Sequence, residues 1–294
     1  MSDDLRVKLM DLDYADRQLV VVRPDDVVLR DRQAALRSQT DAPDPARTTA
    51  EVVGVALGAT VPMGLAVVNL AARWWLKRTE RATLSVLQIT RSEARQVNLP
   101  AGHPLYDIVY VGNPAVQSTY YSLAEFHRQT FAHKFAEAMT LLASLGASSM
   151  RVEAVHGWGR DFAATLDLKV PFRAAGGGFH PQAHTSGSRA FLYTAELKGS
   201  GDPRLPRGGN WYPYEPEWQS VADQRIRHDL REFTLHVRYE DDFLVSSDLA
   251  ATVTKVGLKA GGSFQRHEST DWAITATFPP NQSRAIRAVK HPFG

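Results

Sequence analysis

The chain contains 294 residues, of which 44% are hydrophobic and 22% are charged, a balance typical of a folded globular protein. This length allows one large domain or two small ones. Because there is no cysteine, thiolate nucleophiles, cysteine-ligated zinc, iron–sulfur clusters and disulfides are excluded. The formal net charge is only +2, so the composition gives no reason to expect a nucleic-acid partner.

The N-terminal residues predict a short strand and a helix ahead of a linker. Residues 1–17 carry charges every few positions and lack the apolar run of a secretory signal, which predicts a cytosolic protein. Val20–Val22 predict a strand, and Pro24, followed by two acids, begins a helix expected to end near Ser38. Residues 39–50 contain two prolines and little apolar surface. We therefore divide the chain into an N-terminal segment at 1–38, a linker at 39–50 and a main domain at 51–294.

Residues 52–72 have the most unusual sequence, VVGVALGATVPMGLAVVNLAA, which contains 21 residues and no charge. A helix of that length rises about 30 Å, which equals the hydrocarbon thickness of a bilayer. Gly54 and Gly58 have the small-xxx-small spacing that lets helices approach closely in lipid. Val61 and Leu65 lie near the middle of the stretch, where a charge would be most costly to insert.

The residues directly after this stretch combine aromatic and basic side chains. Trp74 and Trp75 are typical of the headgroup region, and cations beside them are typical of the cytoplasmic end of a membrane span. These cations are Arg73, Lys77, Arg78 and Arg81. Each is expected to gain about 1 kcal/mol near an anionic lipid surface.

Residues 52–72 have two other interpretations in addition to a permanent membrane span. Pro62, Asn69 and three glycines weaken both the helix and its preference for lipid. A helix that is apolar on every side is also typical of the centre of a globular domain. The stretch is therefore a membrane span, a buried core helix, or a segment that is packed away and released into a membrane on activation.

Most other elements predicted from periodicity are strands. Alternating apolar and polar residues, or short apolar runs, predict strands at Thr83–Thr90, Tyr106–Val111, Met150–Val155, Phe162–Phe172, Arg189–Leu197, Glu232–Tyr239, Ser247–Val256 and Trp272–Phe278. Strands that follow one another without an intervening helix are expected to pair antiparallel.

Two further helices complete the predicted fold. Ser122 and Glu125 have the spacing of a capping box for a helix over Leu123–Leu145, which Gly146 ends. Its apolar face consists of Phe131, Phe135, Leu142 and Leu145. Pro216 begins another helix, expected to reach Leu230. The sequence thus predicts an α+β fold, in which a curved antiparallel sheet carries a long amphipathic helix and the strongly apolar helix at 52–72.

Candidates for metal binding are few. His180 and His184 have a ligand-like spacing, but Pro181 and nearby glycines oppose a helix that would put both on one face. His127 and His133 lie about 240° apart around a helix. They are not expected to share a ligand, and His133 is interpreted as a helix-surface residue.

Candidates for catalysis are equally few. Gly176–Gly178 would bind phosphate only between a strand and a helix, and the residues that follow do not predict a helix. Gly157–Trp158–Gly159 predicts a tight β connection with a packed indole rather than an active-site loop. Nucleophile-elbow, metalloprotease, phosphate-loop and dinucleotide motifs are absent from the sequence. An enzyme is therefore the least favoured class, and no cofactor or metal is expected.

Residues 211–218, WYPYEPEW, allow two interpretations. Their aromatic and proline side chains are typical of an exposed surface that recognises a partner or a ligand. They are also typical of a structural segment that leads into the helix beginning at Pro216.

The sequence layout resembles that of pore-forming or membrane-damaging effectors, since a latent apolar segment precedes a β-rich region in a cytosolic chain. We expect a membrane-active effector, of a bacterial self-toxic or defence type, that engages the inner face of the cell membrane through residues 52–81. The expected partners are anionic lipid, other copies of the chain and an activating protein. The alternative is a soluble, non-enzymatic interaction protein that binds a partner through its sheet or through residues 211–218.

Overall fold

The computed structural model of the protein describes residues 6–40, 73–78, 82–159, 162–163, 190–240, 243–264 and 266–281. The chain forms two compact units. Unit 1 comprises residues 1–126 and 244–265, and unit 2 comprises residues 127–243 and 266–294. Helices accompany two separate sheets, so the fold belongs to the predicted α+β class. The apolar helix at 52–72 and residues 41–50 of the linker lie outside the described residues, so that helix stays a prediction. The curvature of the sheet and the division of the chain at residues 38 and 50 also stay predictions.

The described elements have the following bounds. Helices α1 to α5 are Tyr14–Arg17, Asp25–Thr40, Phe126–Ser144, Pro216–His228 and Ser247–Lys255. Strands β1 to β9 are Leu19–Arg23, Arg73–Arg78, Ala82–Thr90, Val109–Gly112, Tyr120–Ser122, Ser149–His156, Ala190–Glu196, Glu232–Tyr239 and Thr270–Thr277. Short 3-10 helices are formed by Leu9–Asp11, Glu93–Gln96 and Tyr212–Tyr214.

Unit 1 contains a five-stranded mixed sheet in the order β2-β3-β1-β4-β5. Strand β1 is a nearly continuous apolar run, as expected for a central strand that is buried on both faces. It runs parallel to β3, with Val20 opposite Leu87, while the other neighbouring strands are antiparallel. The prediction of a purely antiparallel sheet is therefore wrong for unit 1. The reason is the long connection between β1 and β3, which lets the chain return in the same direction.

The register places four strand ends together at one end of this sheet. Strands β1 and β3 finish there, with Arg23 opposite Thr90. Strand β2 begins there, with Arg73 opposite Leu87, and β4 begins there, with Val109 opposite Val21. We call this the carboxyl end of the sheet.

Unit 2 contains an antiparallel sheet in the order β7-β6-β9-β8, which bears helix α3 on one face. The ring centroids of Phe131 and Phe135 lie 4.9 and 5.1 Å from that of Trp272, and all three side chains are buried. Gly146 follows the helix with φ of +89°, which confirms the predicted helix end. A Cβ atom at Gly146 would collide with the carbonyl oxygen of Ser200.

Most strands lie where periodicity predicts them, and the main errors have physical causes. The prediction of a strand at Ser247–Val256 is wrong, because this segment forms α5. The Ser246 hydroxyl accepts a hydrogen bond from the Leu249 N–H at 3.3 Å, and Leu249, Ala250 and Val253 are buried at helical spacing.

Three other boundaries also differ from the prediction. The capping box at Ser122 and Glu125 is wrong, since Ser122 ends β5 opposite Tyr110 and α3 begins only at Phe126. The strand predicted at Tyr106–Val111 begins later, at Val109. Of the strand predicted at Phe162–Phe172, only residues 162–163 are described, and they are helical.

A buried ion pair connects the parts of unit 1. Arg32 of α2 donates to both carboxylate oxygens of Glu93, at 2.6 and 3.1 Å, and both side chains are almost completely buried. The Glu93 carboxylate also accepts the backbone N–H groups of Val7 and Thr90, at 2.6 and 2.8 Å. The N-terminal segment, α2 and the end of β3 are thus held by one carboxylate.

We expect Glu93→Gln to destabilise the protein by about 3–5 kcal/mol, because it leaves the Arg32 charge buried without its counter-charge. The matched control is Asp26→Asn, which makes the same chemical change in the exposed pair of Asp26 and Arg30 and should cost at most about 1 kcal/mol. The free energy of unfolding is measured by urea denaturation. Equal losses for the two variants would contradict this account of unit 1.

Candidate functional site

The structure describes part of the predicted membrane-contact segment. The described part is strand β2, which contains Arg73, Trp74, Trp75, Lys77 and Arg78 and forms one edge of the unit 1 sheet. Gly54, Gly58, Val61, Leu65 and Arg81 lie outside the described residues. Because Arg73 is opposite Leu87, the uncharged stretch joins the sheet at its carboxyl end.

The basic and aromatic residues of this segment therefore belong to a strand rather than to the end of a helix. Strand β2 pairs with β3 along its whole length, from Arg73 opposite Leu87 to Arg78 opposite Ala82. Within the part of the chain that the structure describes, no helix has both the length and the apolar character that crossing a bilayer requires.

The aromatic segment 211–218, the other candidate surface, is fixed to helix α3 by Glu137. The Glu137 carboxylate accepts the backbone N–H groups of Asn210, Trp211 and Tyr212, each at 2.9 Å. These residues lie 73 to 75 positions away in the sequence. No local spacing signals such a contact, so the sequence does not reveal the role of Glu137.

Two neighbouring residues of α3 hold the same segment. The indole N–H of Trp211 donates to Nδ1 of His133 at 2.9 Å. Lys134 forms an ion pair with Glu215 at 2.5 Å and lies 5.3 Å from the centroid of the Trp211 ring. His133 is half-buried by this contact, so its interpretation as a helix-surface residue is wrong.

The result is a rigid segment with one exposed aromatic side chain. Trp211 and Trp218 are buried, and Pro216 occupies the first turn of α4 as predicted. Tyr214, between them, is 74% exposed. The segment therefore both leads into a helix and presents a tyrosine to solvent.

The remaining histidine and glycine candidates have structural contacts where they are described. His127 is buried, and its Nδ1 lies 2.7 Å from the Tyr239 hydroxyl. The ring centroids of Trp158 and Phe162 lie 4.4 Å apart in a stacked arrangement, so the predicted packing of the indole is confirmed, whereas residues 162–163 are helical and no β connection follows within them. The pair His180 and His184 and the glycines 176–178 lie outside the described residues.

Among the described residues, no three histidine, aspartate or glutamate side chains lie close enough together to hold a metal ion. Comparison with known proteins gives no further assignment. No family model, curated protein or solved structure shows significant similarity to this chain.

His133 makes the attachment of residues 211–218 sensitive to pH. An indole N–H only donates, so Nδ1 of His133 must accept, which requires a neutral ring. Burial lowers the pKa of His133 below its ordinary value of 6.5, although the Glu137 carboxylate acts in the opposite direction. At a pH between the lowered pKa of His133 in the folded protein and 6.5, the unfolded chain binds a proton that the folded chain does not. The contribution of this hydrogen bond to stability is therefore fully present above about pH 6.5 and is lost as the pH falls toward the lowered pKa.

We therefore expect acidification to destabilise the wild-type protein more than the His133→Gln variant, which keeps an acceptor but does not titrate. The difference should be about 1 kcal/mol, the typical value of one hydrogen bond. Urea denaturation of both proteins above and below pH 6.5 measures it. An identical pH dependence in the two proteins would contradict this role of His133.

Proposed function

We propose that the protein is a membrane-active effector that engages the inner face of the cell membrane through residues 52–81. One observation carries this proposal: 21 uncharged residues are followed immediately by two tryptophans and four cations. The uncharged stretch has the length of a bilayer core when helical, and the residues after it have the chemistry of the headgroup region. The activity that fits this arrangement is disruption of the membrane or formation of a pore.

Electrostatic attraction between the cations of this segment and anionic lipid also supports the proposal. Arg73, Lys77, Arg78 and Arg81 each contribute about 1 kcal/mol near an anionic surface, and salt screens this attraction. Trp74 and Trp75 favour the interface between headgroups and acyl chains. Gly54 and Gly58 supply a close-packing face, which supports assembly of several copies in the membrane.

The second candidate function is binding of a partner protein through unit 2. Tyr214 supports it, because this side chain is exposed on a segment that Glu137 and Lys134 hold in place. A rigid exposed tyrosine is a typical interface anchor, since little conformational entropy is lost on binding. This candidate predicts no affinity for lipid, so vesicle binding separates the two functions.

We expect Val61→Asp combined with Leu65→Lys to abolish co-sedimentation with anionic vesicles. Each charge at the centre of a membrane span costs about 2.5–3.5 kcal/mol on insertion scales. Val61→Leu combined with Leu65→Ile is the control and should sediment like the wild type. A charged variant that folds and still binds vesicles would exclude residues 52–72 as the membrane element, and one that fails to fold would favour the buried-core helix.

We also expect neutralisation of the four cations to weaken binding to anionic vesicles and to leave binding to neutral vesicles unchanged. The substitutions are Arg73→Gln, Lys77→Gln, Arg78→Gln and Arg81→Gln. Each lost charge corresponds to roughly a fivefold loss in partition coefficient. The control neutralises the same number of arginines and lysines on unit 2, at the exposed residues Lys198, Arg204, Arg207 and Arg227. Equal losses in the two variants would show that net charge, and not this segment, governs binding.

A further inference from the structure

We propose that the carboxyl end of the unit 1 sheet is a second lipid contact, in which Arg91 and Arg95 bind the phosphate of anionic headgroups while Leu105 and Tyr106 enter the interface. The inference rests on the proposed membrane function and deepens it. It names the lipid chemistry that is recognised and the described residues that recognise it.

An open cleft of about 520 Å³ lies at this end of the sheet. It is bounded by the start of α2, the turn that follows β3 and the loop that precedes β4. Its lining residues are Pro24, Asp25, Asp26, Arg91, Ser92, Arg95 and Tyr106. Crevices at the carboxyl ends of parallel strands are a common location of binding sites.

The two arginines of the cleft point to solvent because Glu93, between them in the sequence, points inward to Arg32. The guanidinium carbon of Arg91 lies 5.9 Å from the centroid of the Tyr106 ring. A guanidinium group forms paired hydrogen bonds to phosphate oxygens, so two arginines at one cleft favour a phosphate group.

The carboxylates near the cleft already have partners within the protein. Asp25 accepts the Arg91 N–H at 2.9 Å and the Ser92 hydroxyl at 3.3 Å. Asp26 pairs with Arg30 at 3.1 Å, and Asp107 pairs with Arg23 at 3.2 Å. The charges of Arg30 and Arg23 offset those of Asp26 and Asp107, which reduces the repulsion of an approaching anion, whereas the partners of Asp25 are neutral groups.

The loop that precedes β4 presents two apolar side chains to solvent. Leu105 is 49% exposed and Tyr106 is 41% exposed. The loop is held by the Tyr110 hydroxyl, which accepts the Leu105 N–H at 2.8 Å and lies 2.6 Å from Nδ1 of His103. An exposed leucine and tyrosine beside arginines match the boundary between acyl chains and headgroups.

Chain topology places this patch at the end of the sheet where strand β2 begins. Residue 73, where the uncharged stretch joins β2, is opposite Leu87, and Arg91 follows the same strand four residues later. At about 3.3 Å per residue, the two positions are separated by roughly 13 Å along the strand. Residue 73 and Arg91 therefore lie at the same end of the sheet, where one bilayer can contact both.

The chain has no cysteine, so a single introduced cysteine carries a fluorophore at one known position. Full-length Leu105→Cys is labelled with an environment-sensitive dye and mixed with vesicles of phosphatidylcholine and phosphatidylglycerol. We expect a blue-shifted, stronger emission, and no change with phosphatidylcholine alone. The control is Leu205→Cys, since Leu205 is 47% exposed, is flanked by Arg204 and Arg207, and belongs to unit 2.

The arginines are tested by charge-matched pairs. We expect Arg91→Gln with Arg95→Gln to lower the partition coefficient for these vesicles roughly 25-fold, since each lost charge corresponds to about a fivefold loss. Arg204→Gln with Arg207→Gln removes the same charge elsewhere and should change binding by less than about threefold.

The outcomes separate this inference from the proposed function. If the wild type sediments with anionic vesicles while the label at 105 is silent, or responds no more than the label at 205, the second contact is wrong and the proposed function stands. If the label responds equally to sodium phosphate alone, the cleft is a site for small anions and the lipid contact is overturned. If the wild type binds no vesicles, both proposals fail.

Discussion

The ion pair between Arg32 and Glu93 is the constraint on which unit 1 depends. A buried pair of charges is stable only when hydrogen bonds compensate its loss of water, and here the Glu93 carboxylate accepts hydrogen bonds from α2, the start of the chain and the end of β3. Because Glu93 must point inward, Arg91 and Arg95 on either side are left at the surface. The contact that stabilises the fold therefore also places two positive charges at the carboxyl end of the sheet, next to the strand that continues the uncharged stretch.

Helix α3 has a comparable double role in unit 2. Its apolar face packs Phe131 and Phe135 against the sheet, and its polar residues His133, Lys134 and Glu137 hold the backbone and side chains of residues 210–215. An ordered aromatic segment results, although Tyr212–Tyr214 forms only a single short turn. This order lowers the entropic cost of binding a partner, because a flexible segment with the same sequence would lose more entropy on binding.

Local sequence patterns predicted the elements that local forces determine. The valines of β1, the apolar face of α3 and the proline at the start of α4 are examples. The β-branched residues of Ser247–Val256 favour a strand, but the segment forms a helix that is capped by Ser246. Ser122 is predicted to cap a helix, but its backbone pairs with strand β4 instead. The contacts of Glu93 and Glu137 had no sequence signal, since most of their partners are more than 60 residues away. Length and the absence of charge are the only grounds on which residues 52–72 are predicted to be a membrane segment.

The depth of residue 65 in a bilayer tests the central claim most directly. Leu65→Cys, labelled with a fluorophore in the otherwise cysteine-free chain, is mixed with anionic vesicles whose lipids carry a quencher either at the headgroup or near the end of the acyl chain. Insertion of residues 52–72 predicts the strongest quenching by the acyl-chain quencher, because residue 65 lies near the middle of a span about 30 Å long. Quenching by the headgroup quencher alone, or by neither quencher, in protein that sediments with the vesicles, would contradict a membrane segment at 52–72.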